Sequence, residues 1–199
     1  MTRLAVHHLT KRYAGVLVLD RVSFETRPGR ALAVRGSNGA GKTTLLRCLT
    51  GAVRADAGDV LLDDALCDPG STAAWTAIHG VLDDFAWFPD LTVADHLLLL
   101  DSLADPPAVL ARFGAEHLAD RTAASLSSGQ VRRAALATAL VRSWDVLLLD
   151  EPEQRLDTVG LGLLVGELRS FLDAGRCVVL STHSDDLQDA LDADELRLA

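Results

Sequence analysis

A glycine-rich segment in the first quarter of the chain constrains the fold more than any other feature. Residues 36–43 read Gly-Ser-Asn-Gly-Ala-Gly-Lys-Thr and match the phosphate-loop pattern G-x-x-x-x-G-K-[ST]. The apolar residues 31–35 before this segment favour a short strand. The apolar period of residues 42–50 favours a helix that ends at Gly51. A strand, a glycine-rich loop and a helix in this order form an anion site at the helix N-terminus.

Each residue type in this segment has a physical task in holding a phosphate chain. Glycines allow consecutive backbone N–H groups to point inward around a β-phosphate. Lys42 can reach the β- and γ-phosphates, and the Thr43 hydroxyl can coordinate Mg²⁺. The residues that we predict to bind the nucleotide here are Gly36, Ser37, Asn38, Gly39, Ala40, Gly41, Lys42, Thr43 and Thr44.

Two adjacent carboxylates follow a strongly apolar segment in the second half of the chain. Residues 146–149 are Val-Leu-Leu-Leu, and Asp150 and Glu151 come directly after them. Ligands of α/β folds bind at the carboxyl edge of the sheet, where such a strand would deliver both side chains. Asp150 would then hold Mg²⁺, directly or through water, and Glu151 would polarise an attacking water.

The distribution of apolar segments favours an α/β fold, in a chain of 199 residues that fits one domain. Continuous apolar strands that alternate with helices indicate a mainly parallel sheet covered on both faces. Thr92, with Asp95 three residues later, predicts a capped helix to about Leu103 that Pro106-Pro107 separates from a second helix. The predicted strands are 3–10, 22–26, 31–35, 59–62, 78–82, 145–150, 177–181 and 194–198, and the other predicted helices are 127–142, capped by Ser127 or Ser128, and 159–174.

A short serine-rich motif, Leu126-Ser127-Ser128-Gly129-Gln130, opens one of these helices. Taken with the two motifs above, it gives the chain a resemblance to the nucleotide-binding subunits of ATP-binding cassette (ABC) transporters over essentially its full length. Residues 36–43 match the family's Walker A motif and residues 146–151 its Walker B motif. LSSGQ resembles the LSGGQ signature and begins 24 residues before Asp150.

The resemblance implies a P-loop NTPase core with a mainly parallel sheet, a small N-terminal antiparallel β part and a short inserted helical subdomain. On this basis residues 1–199 form a single nucleotide-binding domain. Residues 1–83 and 136–199 would form the catalytic core, and residues 84–135 the helical subdomain.

The resemblance also implies roles for residues that no pattern assigns by itself. Tyr13 lies where the family places an aromatic ring against adenine. The signature residues Ser127, Ser128, Gly129 and Gln130 would close over ATP held by a second subunit, with Ser127 and Gly129 at its γ-phosphate. His183 matches the switch histidine that senses the γ-phosphate, so Lys42, Glu151 and His183 are the predicted catalytic residues. Residues 151–157 resemble the D-loop, which crosses the interface between subunits.

Three departures from the family pattern affect these expectations. Asp83 occupies the place of the Q-loop glutamine, with Asp84 as the alternative one residue later. Since a carboxylate can still ligate Mg²⁺, the predicted metal ligands are Thr43, Asp150 and Asp83. Ser128 replaces a signature glycine, and Gln154-Arg155 replaces small residues of the D-loop. These changes leave nucleotide binding secure and make the hydrolysis rate harder to predict.

By resemblance, the chain is expected to bind ATP and Mg²⁺, to dimerise head to tail on ATP, and to drive a separate integral-membrane permease from the cytoplasmic face of the membrane. The second nucleotide-binding subunit could be an identical or a related chain. The size and the residues Phe88–Val93 lean toward export rather than import. An ATP-binding regulatory subunit with low turnover stays open because of Asp83, as does a non-transport ABC ATPase.

Composition narrows the remaining possibilities. The chain has 28 acidic and 19 basic residues, a net charge of −9, so nucleic acid is not an expected partner. Cys48, Cys67 and Cys177 lack metal-ligand spacing and are predicted to be small core residues. Aromatic residues 75, 85, 87 and 88 are either core side chains or part of an interface with the permease.

Overall fold

The computed structural model describes residues 2–83 and 86–198. Asp84 and Phe85, both named above, lie outside the described residues. The strands of the described part are β1 (Leu4–Tyr13), β2 (Val16–Glu25), β3 (Ala31–Arg35), β4 (Ala57–Leu62), β5 (Ala65–Leu66), β6 (Ile78–Val81), β7 (Val146–Asp150), β8 (Cys177–Ser181) and β9 (Asp194–Arg197).

The helices connect these strands and lie on both faces of the larger sheet. They are α1 (Lys42–Leu49), α2 (Thr72–Ala77), α3 (Val93–Leu100), α4 (Pro106–Ala111), α5 (Ser128–Ala137), α6 (Thr158–Asp173) and α7 (Asp185–Ala190). Short 3₁₀ turns occur at Glu116–Leu118, Ala123–Ser125 and Thr138–Leu140. Within residues 2–83 and 86–198, no helix is long and apolar enough to cross a membrane.

The strands form one parallel and one antiparallel sheet. The parallel sheet has the order β6-β7-β8-β3-β9, and the antiparallel sheet has the order β2-β1-β4-β5. All neighbouring strands of the first sheet run in the same direction. The carboxyl ends of β3, β7 and β8 therefore meet at one edge, and this edge carries both the glycine-rich segment and the two carboxylates.

Two hydrophobic clusters lie on opposite faces of the parallel sheet. Leu147 and Leu149 of β7 pack into a cluster formed with helices α3 to α7. Val146 and Leu148 point the other way, into a cluster with α1 and with strands of the antiparallel sheet. Because successive side chains of a strand face opposite sides, a strand buried on both faces must be apolar at every position.

The helix starts that the sequence predicts in the middle of the chain are confirmed. Thr92 caps α3 and forms a capping box with Asp95, and Asp105 caps α4 immediately before the two prolines. Two predicted helix ends are wrong. The first helix ends at Leu100 rather than Leu103, and α5 ends at Ala137, where a 3₁₀ turn replaces the last predicted residues up to Arg142.

Other elements depart from the sequence-based expectation. The first hairpin is longer than predicted, because β1 reaches Tyr13 and β2 begins at Val16. Ala14 and Gly15 join the two strands with φ of 46° and 85°, a turn whose twist matches paired strands. Strand β5 and helices α2 and α7 were not predicted. They contain only two to six residues, too few to show a hydrophobic period.

Candidate nucleotide-binding site

The phosphate loop, residues 36–43, joins β3 to the N-terminus of α1 as the sequence predicts. Gly41 is the N-cap of α1 with φ of 96°, a left-handed conformation that favours glycine. A Cβ atom at Gly41 would lie 2.9 Å from Leu19 Cδ2 and 3.0 Å from the Val18 carbonyl oxygen. The first hairpin therefore packs directly on the loop, and a larger residue at this position would separate them.

Lys42 is buried at the start of α1, and its ammonium group is the centre of a polar cluster. Its Nζ lies 3.1 Å from the Gly36 carbonyl oxygen and 3.3 Å from that of Ser37. It also lies 2.9 Å from His183 Nε2. A lysine ammonium can only donate hydrogen bonds, so His183 Nε2 is the acceptor. The side chain is 6% exposed, which requires this set of partners for its charge.

Glu151 joins the same cluster from the end of β7. Its Oε1 lies 3.8 Å from Lys42 Nζ and 3.4 Å from His183 Nε2. The structure therefore brings together Lys42, Glu151 and His183, the three residues predicted to be catalytic. They come from the ends of three strands or loops that are more than 30 residues apart in sequence. The catalytic role of each remains a prediction.

Asp150 and the backbone of Glu151 are held by the neighbouring strand β8. The Ser181 hydroxyl donates to Asp150 Oδ1 at 2.6 Å and accepts from the Glu151 N–H at 2.9 Å. The Glu151 N–H also donates to the Ser181 carbonyl at 3.1 Å. Glu151 has φ of 45°, a conformation that is costly for a non-glycine residue and persists only where its surroundings enforce it.

The residues around the phosphate loop fit a bound Mg²⁺ by the chemistry of their donors. Thr43 offers a hydroxyl and Asp150 a carboxylate, and both are hard oxygen ligands. Mg²⁺ in nucleotide sites takes one or two protein ligands and completes its shell with phosphate and water oxygens. Thr43 and Asp150 together supply that number, so their predicted role is chemically consistent.

Asp83, the third predicted metal ligand, makes a different contact. Its Oδ1 lies 3.6 Å from Arg155 Nη1, and both side chains are about half exposed. The pair joins two of the positions at which the sequence departs from the family pattern. The role of Asp83 as a Mg²⁺ ligand stays a prediction, and the positive charge of Arg155 lies beside it.

Tyr13, the predicted adenine contact, ends β1 at the tip of the first hairpin. Its side chain is 42% exposed, and Lys11 Nζ lies 5.3 Å from the centre of its ring. Because β2 of this hairpin packs on the phosphate loop at Gly41, the ring lies on the hairpin that borders the loop. An exposed ring of this kind can stack on a base, and that role remains a prediction.

The signature segment is held as a helix N-terminus. Ser127 caps α5, and the Gln130 side chain accepts from the Ser127 N–H at 2.9 Å, which completes a capping box. Ser127 and Ser128 are exposed. A Cβ atom at Gly129 would lie 2.8 Å from the Arg155 carbonyl, so this glycine allows α5 to approach residues 150–157, called here the carboxylate loop.

Three residues near the site were not singled out from the sequence. Arg132 of α5 is 5% exposed and donates to the carbonyls of Asp150 and Pro152. Glu153 accepts from the Thr182 hydroxyl and from the His183 N–H, the latter at 3.3 Å. Ser181 is buried and bonds Asp150 and the Glu151 N–H. A buried arginine on an otherwise apolar helix face is the one signal that could have indicated such a contact.

Comparisons with known proteins agree with this geometry. The sequence model of the ABC transporter family matches residues 19–154. Nod factor export ATP-binding protein I of Burkholderia thailandensis is 39% identical over 186 residues, which cover 87% of this chain and 60% of the relative. Cytochrome c biogenesis ATP-binding export protein CcmA of Rhodobacter capsulatus is 37% identical over 186 residues, covering 93% of this chain and 83% of the relative.

A solved structure described as the ATP binding subunit of an ABC transporter superposes with a TM-score of 0.88. It is 22% identical, and the match covers 98% of this chain and 85% of the other. This likeness supports the fold alone. The chain spans only 60% of the length of the Nod factor relative.

The chain belongs to the ABC transporter family. The predicted family and the predicted fold class, an α/β P-loop core with a parallel and a small antiparallel sheet, are confirmed. The relatives named above are described as ATP-binding export proteins, and ATP hydrolysis by this chain remains a prediction.

Proposed function

We propose that this chain binds ATP with Mg²⁺ between the phosphate loop and the first hairpin, and that it hydrolyses ATP as a head-to-tail dimer. The observation that carries the proposal is the convergence of Lys42, Glu151 and His183 within 3.8 Å contacts at one edge of the parallel sheet. A cation, a carboxylate and a hydrogen-bonding imidazole at one point provide the groups that hydrolysis of a terminal phosphate requires.

The roles follow from the contacts. Phosphate oxygens of ATP would replace the Gly36 and Ser37 carbonyls as acceptors for the Lys42 ammonium. His183 would then turn from Lys42 and, with its proton on Nε2, donate to a γ-phosphate oxygen. Glu151 would orient the attacking water and accept its proton. Mg²⁺, held by Thr43 and Asp150, would neutralise part of the charge on the phosphates.

A dimer is proposed because the signature segment is exposed on its own subunit. Ser127 and Ser128 lie at the N-terminus of α5, where backbone N–H groups and the helix dipole favour a phosphate. Their own subunit packs this helix against the carboxylate loop at Gly129. Residues 127–130 would therefore meet ATP on the phosphate loop of a second copy or of a related subunit.

A separate integral-membrane permease is the proposed partner, with the chain at the cytoplasmic face of the membrane. Several large apolar side chains are exposed around helix α3, among them Phe88, Leu99 and Leu103, and Trp75 is exposed on α2. Trp75 borders a cavity of about 310 Å³. Apolar groups concentrated in this way mark an interaction surface. The relatives named above are export proteins, so export is the proposed direction.

The domain division predicted from the sequence is part of this proposal. Residues 1–83 and 136–199 would act as the catalytic core. Residues 84–135, which include helices α3 and α4 and most of α5, would act as the helical subdomain that receives the permease.

The test is nucleotide-dependent association together with turnover. The purified chain should be a monomer in the absence of nucleotide and should form dimers with ATP, as measured by light scattering. It should release phosphate from ATP only when Mg²⁺ is present. A dimer that forms equally without ATP would contradict the head-to-tail arrangement, and a chain that does not bind ATP in calorimetry would refute the proposal as a whole.

A regulatory subunit that binds ATP but turns it over slowly is the second candidate. The pairing of Asp83 with Arg155 favours it, because the Q-loop position is then occupied by an ion pair rather than by a neutral amide. Turnover that stays low when the permease is present, with tight ATP binding, would support this candidate over the first.

A further inference from the structure

Arg132 is a buried charge for which the proposed mechanism has no use. It lies on α5, five residues after the cap Ser127, and it is 5% exposed. Its Nη2 donates to the carbonyl of Asp150, and its Nε donates to the carbonyl of Pro152 at 3.4 Å. These two carbonyls belong to the residues on either side of Glu151. The guanidinium group thus spans the backbone that carries the proposed general base.

The backbone at Glu151 needs such support. A non-glycine residue with φ near 45° is strained and is retained only where the surroundings impose it. The N–H of Glu151 is fixed from one side by Ser181 of β8. Arg132 fixes the flanking carbonyls from the other side. Together these contacts hold the backbone from which the Glu151 side chain projects.

The surrounding charges are consistent with a functional contact. Burial lowers the pKa of Arg132, whereas the nearby carboxylates of Asp83, Asp150 and Glu153 raise it. A buried ion contributes little net stability, because its desolvation offsets much of the attraction. Burying the Arg132 guanidinium group therefore costs free energy. The groups that it contacts lie at the proposed hydrolytic site.

We propose that Arg132 is a positioning residue for ATP hydrolysis, which holds Glu151 in the orientation from which it can activate water. The inference rests on the proposed function, since it assigns Arg132 to the hydrolytic step. The guanidinium group of Arg132 donates to the carboxylate loop, whereas the phosphate-loop carbonyls that Lys42 contacts are those of Gly36 and Ser37. Loss of Arg132 should therefore lower kcat and leave the Kd for ATP nearly unchanged.

The experiment compares Arg132→Met and Arg132→Lys with the unchanged chain. Methionine fills similar space without donors, so its kcat should fall by about tenfold to hundredfold. Lysine keeps the charge but lacks the forked guanidinium group that bridges two carbonyls. The kcat of Arg132→Lys should therefore lie between those of Arg132→Met and the unchanged chain. The Kd for ATP should stay within about twofold for both variants, by calorimetry.

Arg169→Met is the matched control. Arg169 of α6 also donates to a carbonyl, that of Ala190 at the C-terminal end of α7 at 2.9 Å, rather than to the carboxylate loop. This variant should keep both kcat and Kd. A kcat for Arg132→Met within about twofold of the unchanged chain would overturn the inference. A parallel loss of ATP affinity and of folded protein would overturn it too, because it would assign Arg132 a structural role only.

Amide hydrogen exchange tests the positioning role of Arg132 independently of turnover. Glu151 N–H donates to Ser181, and Gln154 N–H donates to the Glu151 carbonyl at 3.1 Å. In Arg132→Met these two amides should exchange faster, and the Leu45 amide, which donates to Gly41, should not. Unaltered exchange at Glu151 and Gln154 would refute the positioning. If the unchanged chain fails to hydrolyse ATP, the proposed function fails, and exchange still tests this contact.

Discussion

The phosphate loop and the carboxylate loop lie at the same edge of the parallel sheet, but the chain holds them in different ways. In the phosphate loop, Lys42 bonds carbonyls five and six residues away, and the Ala40 N–H bonds the Ser37 carbonyl. In the carboxylate loop, the contacts reach 18 residues back to Arg132 and 30 and 31 residues forward to Ser181. The backbone of the first loop is held mainly by local contacts, although the Lys42 side chain also reaches His183, whereas the second loop depends on packing.

This difference has a functional consequence. A loop built from local contacts keeps its shape as long as β3 and α1 are in place, so nucleotide binding should tolerate changes elsewhere. A loop held by distant side chains changes whenever one of them is lost, so hydrolysis should be the more sensitive property. Variants on each side of the site can test whether binding and hydrolysis separate in this way.

The largest effect is expected at Glu151 itself. Glu151→Gln keeps the shape of the side chain but removes the base, so turnover should fall by about 10²- to 10⁴-fold. ATP affinity should be retained, and the ATP-bound dimer should last longer. Steady-state phosphate release and light scattering with ATP measure the two properties. Undiminished hydrolysis would remove Glu151 as the general base.

Lys42→Ala should act on the phosphate loop and should lower ATP affinity, the property that Glu151→Gln leaves unchanged. It removes the cation that faces the phosphates, and a charge-assisted hydrogen bond of this kind is worth about 1.5–3 kcal/mol. ATP affinity should therefore fall by roughly tenfold to a hundredfold in calorimetry. An unchanged Kd for ATP would contradict the prediction that the phosphate loop, through Lys42, holds the nucleotide.

The sheet beneath the carboxylate loop contains a residue that responds to acid. His79 of β6 pairs with Leu147 of β7 and donates from Nε2 to the Thr138 hydroxyl at 3.2 Å, since that hydroxyl itself donates to Ala135. Burial, and then the charge of Arg142, lowers the pKa of His79 from 6.5 to about 4.

The unfolded chain takes up this proton at a higher pH than the folded chain does. Stability should therefore fall as the pH drops from 6.5 toward 4, by up to about 3 kcal/mol, with no such change above 6.5. His79→Gln can still donate to Thr138 but does not titrate. Its urea midpoint should depend less on pH over this window, and an equal dependence would refute the assignment.

Ser181→Ala should show a smaller effect confined to the carboxylate loop. It removes the hydroxyl that bonds both Asp150 and the Glu151 N–H, so unfolding should become easier by about 1–2 kcal/mol. Turnover should fall more than ATP affinity does. Ser170→Ala, at an exposed position of α6, is the control and should match the unchanged chain. Equal losses of binding and turnover in Ser181→Ala would remove the distinction between the loops.

The smallest effect is expected at Asp83, at the margin of the site. Its exposed pair with Arg155 should couple the two side chains by less than about 1 kcal/mol in a double-mutant cycle. If Asp83 also ligates Mg²⁺, Asp83→Ala should raise the Mg²⁺ concentration for half-maximal turnover, and Asp83→Gln should preserve turnover at saturating Mg²⁺. Superimposable Mg²⁺ titrations for all three proteins would exclude the metal role.

Much of the fold could be predicted because its signals are short-range. The strands at 31–35 and 177–181 coincide with β3 and β8, and the capping residues Thr92 and Ser127 start helices where the sequence indicates. The six-residue helices α2 and α7 gave no such signal, and helix ends depended on packing that the sequence does not display.

The sequence by itself determined the phosphate loop, the strand that ends in Asp150 and Glu151, and the family to which the chain belongs. Each of these is written in consecutive residues with fixed spacing. Only the tertiary structure decided that Arg132 spans the backbone on both sides of Glu151, that Glu153 bonds the segment at His183, and that Asp83 meets Arg155. The physical reason is that these contacts join residues 18 to 72 positions apart, and such pairs become neighbours only when the strands and α5 pack together.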